Sequence, residues 1–480
     1  MKILYRPDID GLRALSVIAV ILYHANFQFN DQYLFRGGYI GVDIFFVISG
    51  YLITSLITKE LNDTNSFSFV NFYLRRARRI LPVLILIIFF FIPFAWFYLL
   101  PNSLSDFSSS IFFSTFFTSN FFFNNVGHDY GDALSITKPF LHTWSLSVEE
   151  QFYILYPLFF FICFKFIKNK LILLLIFISL LSLALAQYGS INFSISNFYL
   201  LPSRIWEIFC GAILVVMNSN ENNNKFVKDI LSYIGLTFVL LSFYFFTDDT
   251  LHPSFKTVIP VFGTMLVIRF SNNNFVSSFL SHKFLVFIGL ISYSLYLWHY
   301  PIFSFSEILG FDSSNISKSI FILISLFLSI MSYFTIEKKF RNKKSISNKI
   351  FFLYLIVSIL IISFFTYFVY KEKGYPNRAH LIFKEDFKEK PWELLKVDEE
   401  ICHLRTKIFC NINPQGEKGS IFLVGDSHLI TMGKPLAENL IKKDYNFIPM
   451  TNGGCYFFPN FTYINEITRK TLFGCDEKYQ

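Results

Sequence analysis

The chain has 480 residues, of which 53% are hydrophobic and 16% charged, with a formal net charge of +8. A soluble globular protein carries about 25% charged residues, so this composition excludes an ordinary soluble domain and points to a membrane protein. The positive charge does not indicate nucleic-acid binding, because it gathers in Arg75–Arg79, Lys165–Lys170 and Lys338–Lys349, at the ends of apolar blocks rather than along one surface.

The apolar residues come in blocks of roughly 17–21, the length a helix needs to cross a hydrocarbon core of about 30 Å. Backbone groups in lipid must bond internally, so these blocks are read as helices. About eleven spans of this kind are predicted, near 13–28, 38–58, 80–100, 143–164, 171–187, 200–217, 228–246, 256–270, 284–304, 318–336 and 350–370. The 65 phenylalanines are read as lipid-facing bulk. With the N-terminus in the cytoplasm, all three basic clusters fall inside, as the positive-inside rule requires, and the segment after the last span falls outside. Residues 107–123 are apolar but rich in serine; a crossing there would put every later cluster on the wrong side, so the stretch is read as re-entrant or interfacial. The first apolar run begins after Arg13 with no small-residue cleavage site behind it, so no cleavable signal peptide is expected.

After Tyr370 the pattern changes. Residues 371–400 are charged and lack apolar periodicity, which reads as a linker. The run from Gly419 to Gly425-Asp-Ser-His428 predicts a strand entering a turn, and Leu429–Lys442 predicts a helix, together the start of an α/β domain. Cys163 and Cys210 fall in apolar helices and read as packing residues. Cys402, Cys410, Cys455 and Cys475 all follow the last span and suggest disulfides in an oxidising compartment. No CxxC or HExxH spacing occurs, so no metal is expected.

The first span holds the first chemical signal. Ionisable groups at membrane depth are costly and usually face a cavity or a partner. Arg13 and His24 lie eleven positions apart, which is three helical turns, so both point to one side of the helix about 16 Å from each other. The bland alternative is an interfacial arginine and a hydrogen-bonded histidine. Arg204 and Glu207, three apart on one helix face, read as a pair lining a cavity or as a simple intrahelical ion pair.

Several motifs follow in order: Tyr5-Arg-Pro-Asp-Ile-Asp-Gly-Leu-Arg, Tyr23-His24, Gly37-Gly-Tyr-Ile-Gly-Val-Asp-Ile-Phe-Phe-Val-Ile-Ser-Gly, Arg75-Arg-Ala-Arg-Arg, His142-Thr-Trp-Ser-Leu-Ser-Val-Glu-Glu, Leu201-Pro-Ser-Arg-Ile-Trp-Glu and Ser292-Tyr-Ser-Leu-Tyr-Leu-Trp-His-Tyr-Pro. Together these cover nearly the whole chain. The sequence resembles acyltransferase family 3, in the branch whose membrane domain is followed by an SGNH-type domain and which includes lipopolysaccharide O-antigen and peptidoglycan O-acetylases. The fold this implies is an all-α polytopic bundle followed by a partial α/β SGNH-like segment. Its divisions would be a transmembrane domain over 1–340, one more transmembrane helix over 341–370, an extracytoplasmic linker over 371–418 and the partial domain over 419–480.

The resemblance implies an enzyme of the bacterial inner (plasma) membrane that moves acetyl from cytoplasmic acetyl-CoA, or another acyl-CoA, to an extracytoplasmic glycan, with lipopolysaccharide O-antigen favoured. On that reading His24 is the principal catalytic residue, as general base or as acyl carrier, with Arg13 as its motif partner. Arg76 and Arg79 match a pair that would hold the coenzyme A phosphates, although Arg75 and Arg78 give an alternative register and topogenic charge is the plain reading. Glu149, placed at the outer end of the fourth span, would orient a histidine. His299 would act on the acceptor side. Asp43 and Ser49 belong to a motif whose role is open.

Ser427 resembles the SGNH nucleophile, and Gly453 or Gly454 a second block. No histidine follows His428, so the serine lacks the Asp-x-x-His base that the family supplies, and the segment reads as partial. Three alternatives stay open: a peptidoglycan acceptor, a transporter (although no duplicated halves are visible) and a remnant with an inactive C-terminal domain.

Overall fold

A computed structural model describes residues 5–29, 32–127, 135–217, 224–312, 314–378, 396–397, 400–401, 410–425 and 433–451. The chain divides into two compact units, Met1–Arg378 and Ala379–Gln480.

The first unit is a polytopic helical bundle with one short antiparallel strand pair, β1 (Gln28–Phe29) and β2 (Gln32–Tyr33). In chain order its helices are α1 (Pro7–Ala25), α2 (Gly41–Thr64), α3 (Phe69–Tyr98), α4 (Pro101–Thr115), α5 (Ser119–Val126), α6 (Thr143–Phe166), α7 (Leu171–Asn192), α8 (Ser194–Tyr199), α9 (Ile205–Val216), α10 (Lys225–Phe245), α11 (Val258–Phe270), α12 (Phe275–Leu280), α13 (Lys283–Ile308), α14 (Asn315–Ser332), α15 (Lys338–Arg341) and α16 (Asn348–Lys371). Among the described residues, eight helical stretches are long and apolar enough to cross a membrane: those built on α2, α3, α6, α7, α10, α13, α14 and α16.

Three of the sequence-predicted spans differ from these eight. Helix α1 carries Asp8, Asp10 and Arg13. Helices α9 and α11 have only 12 and 13 residues, about 18–20 Å of helix. Residues 107–123 do not form one rod. They divide between α4 and α5, with Phe117 in the left-handed region at φ 55° between them. Neither piece is long enough to span.

Two close approaches set the frame. A Cβ on Gly289 of α13 would lie 1.9 Å from the carbonyl oxygen of Asp10 on α1. That contact and the meeting of His24 with His299 occur in ascending order on both helices, so α1 and α13 run parallel. A Cβ on Gly50 of α2 would lie 1.8 Å from the carbonyl oxygen of Ile208 on α9, and one on Gly211 would lie 1.9 Å from that of Val47. Only glycine lets these backbones meet. Around them Trp144, Phe46, Phe152 and Phe160 are fully buried in the largest apolar core. Helices α14 and α16 lie on the rim: 17% and 22% of their apolar windows are buried, and they present residues such as Leu323, Phe327, Leu353 and Phe364 outward.

In the second unit, strands β3 (Lys396–Val397) and β4 (Glu400–Ile401) form a short antiparallel pair. Strand β5 (Ser420–Gly425), helix α17 (Gly433–Lys442) and strand β6 (Asn446–Thr451) form a parallel β-α-β unit, in register from Ser420 opposite Asn446 to Gly425 opposite Thr451. The sequence-predicted strand is present, and so is the predicted helix from Gly433 to Lys442; its predicted start at Leu429 lies outside the described residues. Cys410, Ala437, Leu440 and Phe447 form its core, and Cys410 is disulfide-bonded. Ser427, His428, Gly453, Gly454 and the other three C-terminal cysteines lie outside the described residues.

Candidate functional site

One cavity of about 100 Å³ lies inside the first unit, and three arginines share its wall: Arg13, Arg76 and Arg79, with Glu149, Ser49 and Tyr153 beside them. Arg13 comes from the middle of α1 and the other two from the first turns of α3. The four-arginine cluster, ambiguous in sequence, separates here. Arg75 is half-exposed and sits 3.6 Å from Glu60. Arg78 is fully buried and turned away; it donates to the carbonyls of Phe340 (2.9 Å) and Ile346 (2.8 Å) and to Asn348 Oδ1 (2.8 Å). Arg76 lies over the Tyr153 ring, 4.6 Å from its centroid.

Among the described residues Glu149 is the one carboxylate of this wall, and its Oε1 accepts from the Ser49 hydroxyl at 2.9 Å. The expectation that Glu149 orients a histidine is not what the geometry gives. Seven residues of helix separate it from His142, about 10 Å along the axis, which carries it to the arginine side. Ser49, whose role the sequence left open, is its partner.

His24 sits at the other end of α1. Its Nδ1 lies 3.0 Å from His299 Nε2 on α13, with the ring centroids 5.1 Å apart and the planes 28° from parallel, so the two rings meet edge to edge. The Tyr300 ring meets His24 edge-on at 4.8 Å. His142 completes the group: it stacks on Tyr300 at 5.2 Å and meets His299 at 5.8 Å. His142 is fully buried, and neither of its ring nitrogens has a hydrogen-bond partner among the described residues. It lies within a motif visible in the sequence, yet a single histidine before Thr-Trp gives no sign that three helices bring it to two others. His24 also lines a second cavity of about 200 Å³ with Gln28, Ser306, Glu307, Asp312 and Lys318.

Arg13 and His24 therefore line different spaces on one helix, and Tyr296 links the wall of the first space to the histidine group. Tyr296 lines the arginine cavity. Its ring lies 5.4 Å from His142 and 5.5 Å from His299. Its hydroxyl donates to the His142 carbonyl at 2.9 Å and shares a 2.7 Å hydrogen bond with Ser145.

Arg204, Glu207 and Asp43 come together elsewhere and are sealed from water, at 1% exposure or less. Arg204 Nη1 lies 3.0 Å from Asp43 and 3.4 Å from Glu207, and the guanidinium packs between Trp144 and Phe198. Nη1 also donates to His252 Nε2 at 2.8 Å, and His252 Nδ1 donates to Thr257 at 3.2 Å. Burial and the adjacent guanidinium hold the His252 imidazole well below its usual range, so it is neutral. This network ties α2, α9 and the loop before α11 together, and sequence spacing gave no hint of His252. Glu337 was also missed. A π-turn at Tyr333–Glu337 rotates it inward, where its Oε2 accepts from Ser294 at 2.8 Å.

Among the described residues, no group of three or more His, Cys, Asp or Glu side chains is placed to hold a metal ion. No solved structure matches the chain. Peptidoglycan O-acetyltransferase OatA of Listeria monocytogenes is 32% identical over 359 residues, which is 70% of this chain and 56% of that protein. The putative peptidoglycan O-acetyltransferase YrhL of Bacillus subtilis is 32% identical over 376 residues, 72% of this chain and 57% of that one. A putative O-acetyltransferase of Staphylococcus aureus is 33% identical over 358 residues, 71% and 58%. The chain thus spans a little over half the length of these relatives. The family described as the acyltransferase domain matches residues 6–336. That match covers more than half of the sequence and takes in both cavities and the histidine group: the chain belongs to the membrane acyltransferase family 3.

Proposed function

We propose that this chain is an O-acetyltransferase that takes acetyl from cytoplasmic acetyl-CoA and passes it to a glycan hydroxyl outside the membrane. The observation that carries this reading is the convergence of Arg13, Arg76 and Arg79 on one cavity, with the His24–His299–His142 group beyond Tyr296. Three guanidinium groups suit the phosphates of coenzyme A, which bidentate donors bind best. The arginine cavity is then the donor side, and the cavity lined by His24, Glu307 and Lys318 is the acceptor side.

His24 acts at the carbonyl carbon. As a base it removes the proton of the acceptor hydroxyl; the new C–O bond forms, the C–S bond breaks and that proton leaves on the coenzyme A thiol. As a nucleophile it carries the acetyl group first and gives it up to the hydroxyl second. If α1, α9 and α11 cross within the bundle along with the eight long helices, the N-terminus lies in the cytoplasm, the basic clusters face the cytoplasm and the segment after the last span lies outside. There Ser427 is the next acceptor of acetyl in an SGNH-like segment. The names of the Listeria and Bacillus relatives favour peptidoglycan over lipopolysaccharide O-antigen as the final acceptor.

The test is base-labile acetate in purified peptidoglycan and in the polysaccharide fraction, from cells with and without the gene. Acetate that disappears from peptidoglycan on deletion, and equally in His24→Ala at normal protein level, supports the reading. Loss from the polysaccharide fraction alone overturns the acceptor, and no change in either fraction overturns the activity.

A further inference from the structure

His299 is fully buried, and its two ring nitrogens meet different groups. Nδ1 lies 3.2 Å from the carbonyl oxygen of Leu295, one helical turn back. A carbonyl oxygen only accepts, so Nδ1 carries a proton. No salt bridge to His299 exists among the described residues, and aromatic rings of Tyr296, Tyr300 and Phe303 surround it. A neutral imidazole has one N–H, so with Nδ1 protonated Nε2 is an acceptor. That Nε2 lies 3.0 Å from His24 Nδ1, which must therefore donate. His24 is held in the Nδ1–H tautomer, with its lone pair on Nε2.

We propose that His299 is the positioning residue that fixes the reactive nitrogen of His24, through a chain running from the Leu295 carbonyl to His299 and from His299 to His24. The inference rests on the reading of His24 as catalytic, and it serves either version of that role, since base and acyl carrier both need a lone pair on Nε2. The frame is suited to the task. Gly289 locks α13 against α1 ten residues before His299, so the relative height of the two rings is set by backbone contact and not by side-chain packing alone. A histidine held in the wrong tautomer can cost about 10⁴ in rate in serine-protease triads.

The experiment uses the full chain in membrane vesicles, with radiolabelled acetyl-CoA as donor and a soluble chitin oligosaccharide as acceptor probe. His299→Ala is expected to lower kcat about 100-fold or more, with the KM for acetyl-CoA changed less than about 2-fold. His299→Gln places an amide oxygen near the position of Nε2, accepts the same proton and is expected to recover kcat to within about 10-fold of the natural protein. A glutamine variant as inactive as the alanine variant at equal protein level overturns the proposal, as does an alanine variant with unchanged kcat or with a KM defect alone. His24→Ala separates the two readings: activity retained there removes the catalytic role itself, whereas activity lost there but kept in His299→Ala removes only the relay. Solid-state ¹⁵N NMR of the histidine-labelled natural protein decides without any variant. A protonated Nδ1 and an unprotonated Nε2 on His24 are expected, and the opposite tautomer is fatal to the relay.

Discussion

Four arginines in five residues look interchangeable, and folding makes them different. Arg79 shares the cavity wall with Arg13 and Arg76, whereas Arg78 ties α3 to the turn between α15 and α16 through two backbone carbonyls and Asn348. Removing each should therefore fail in a different way. Arg79→Ala is expected to raise the KM for acetyl-CoA about 10- to 100-fold while leaving thermal stability intact, the worth of one or two charge-assisted hydrogen bonds. Arg78→Met is expected to leave KM alone and to destabilise by about 2–5 kcal/mol, because buried carbonyls lose their donor. Unfolding in detergent followed by tryptophan fluorescence, paired with steady-state kinetics, reads both. The sequence could name this cluster but not its register, since α-helical phase at a membrane boundary depends on where the preceding turn ends. The same limit applied to Glu149: its helix was legible, its partner was not.

At the scale of the element, glycine does what no apolar pattern can announce. The contact between Gly50 and the Ile208 carbonyl brings α2 against α9 closely enough for Asp43 to reach Arg204. Gly50→Val would force the helices apart and strain that buried network. We expect a loss of about 1–3 kcal/mol or more from overpacking alone, measured as a lowered Tm and reduced accumulation in membranes, with the His24–His299 pairing between α1 and α13 less affected. Long apolar helices such as α3, α7 and α16 were plain in the sequence because length and hydropathy suffice for them. Helices α1, α9 and α11 were legible as helices but not in length, since charged or short segments are stabilised by neighbours inside the bundle and need not satisfy the lipid themselves. The break between α4 and α5 follows the serines that had marked that stretch as unlike a span.

For the whole molecule, two spaces meet one helix at Arg13 and at His24, and Tyr296 lines the first while packing against His299, the partner of His24. No sequence pattern announces such an arrangement, because its parts come from α1, α3, α6 and α13, far apart in the chain. Strand β5 and helix α17, by contrast, were readable from one apolar run and one amphipathic helix, both local signals, whereas β6 and its parallel pairing with β5 were not read from the sequence. The Tyr296 ring has a further consequence for the cell. On the proposed function, a protein that hands a group across a membrane between two wet compartments risks becoming a conduit for ions, and the latched Tyr296 ring, packed against His142 and His299, is expected to form part of the seal. In liposomes under a pH gradient, the natural protein and Tyr296→Phe should keep proton flux at the level of protein-free vesicles. Tyr296→Gly should discharge the gradient measurably faster, and an unchanged discharge rate would show that insulation resides elsewhere. If the expected outcome holds, the proposed transfer of acetyl across the membrane would proceed without a pore, and the proton gradient would survive it.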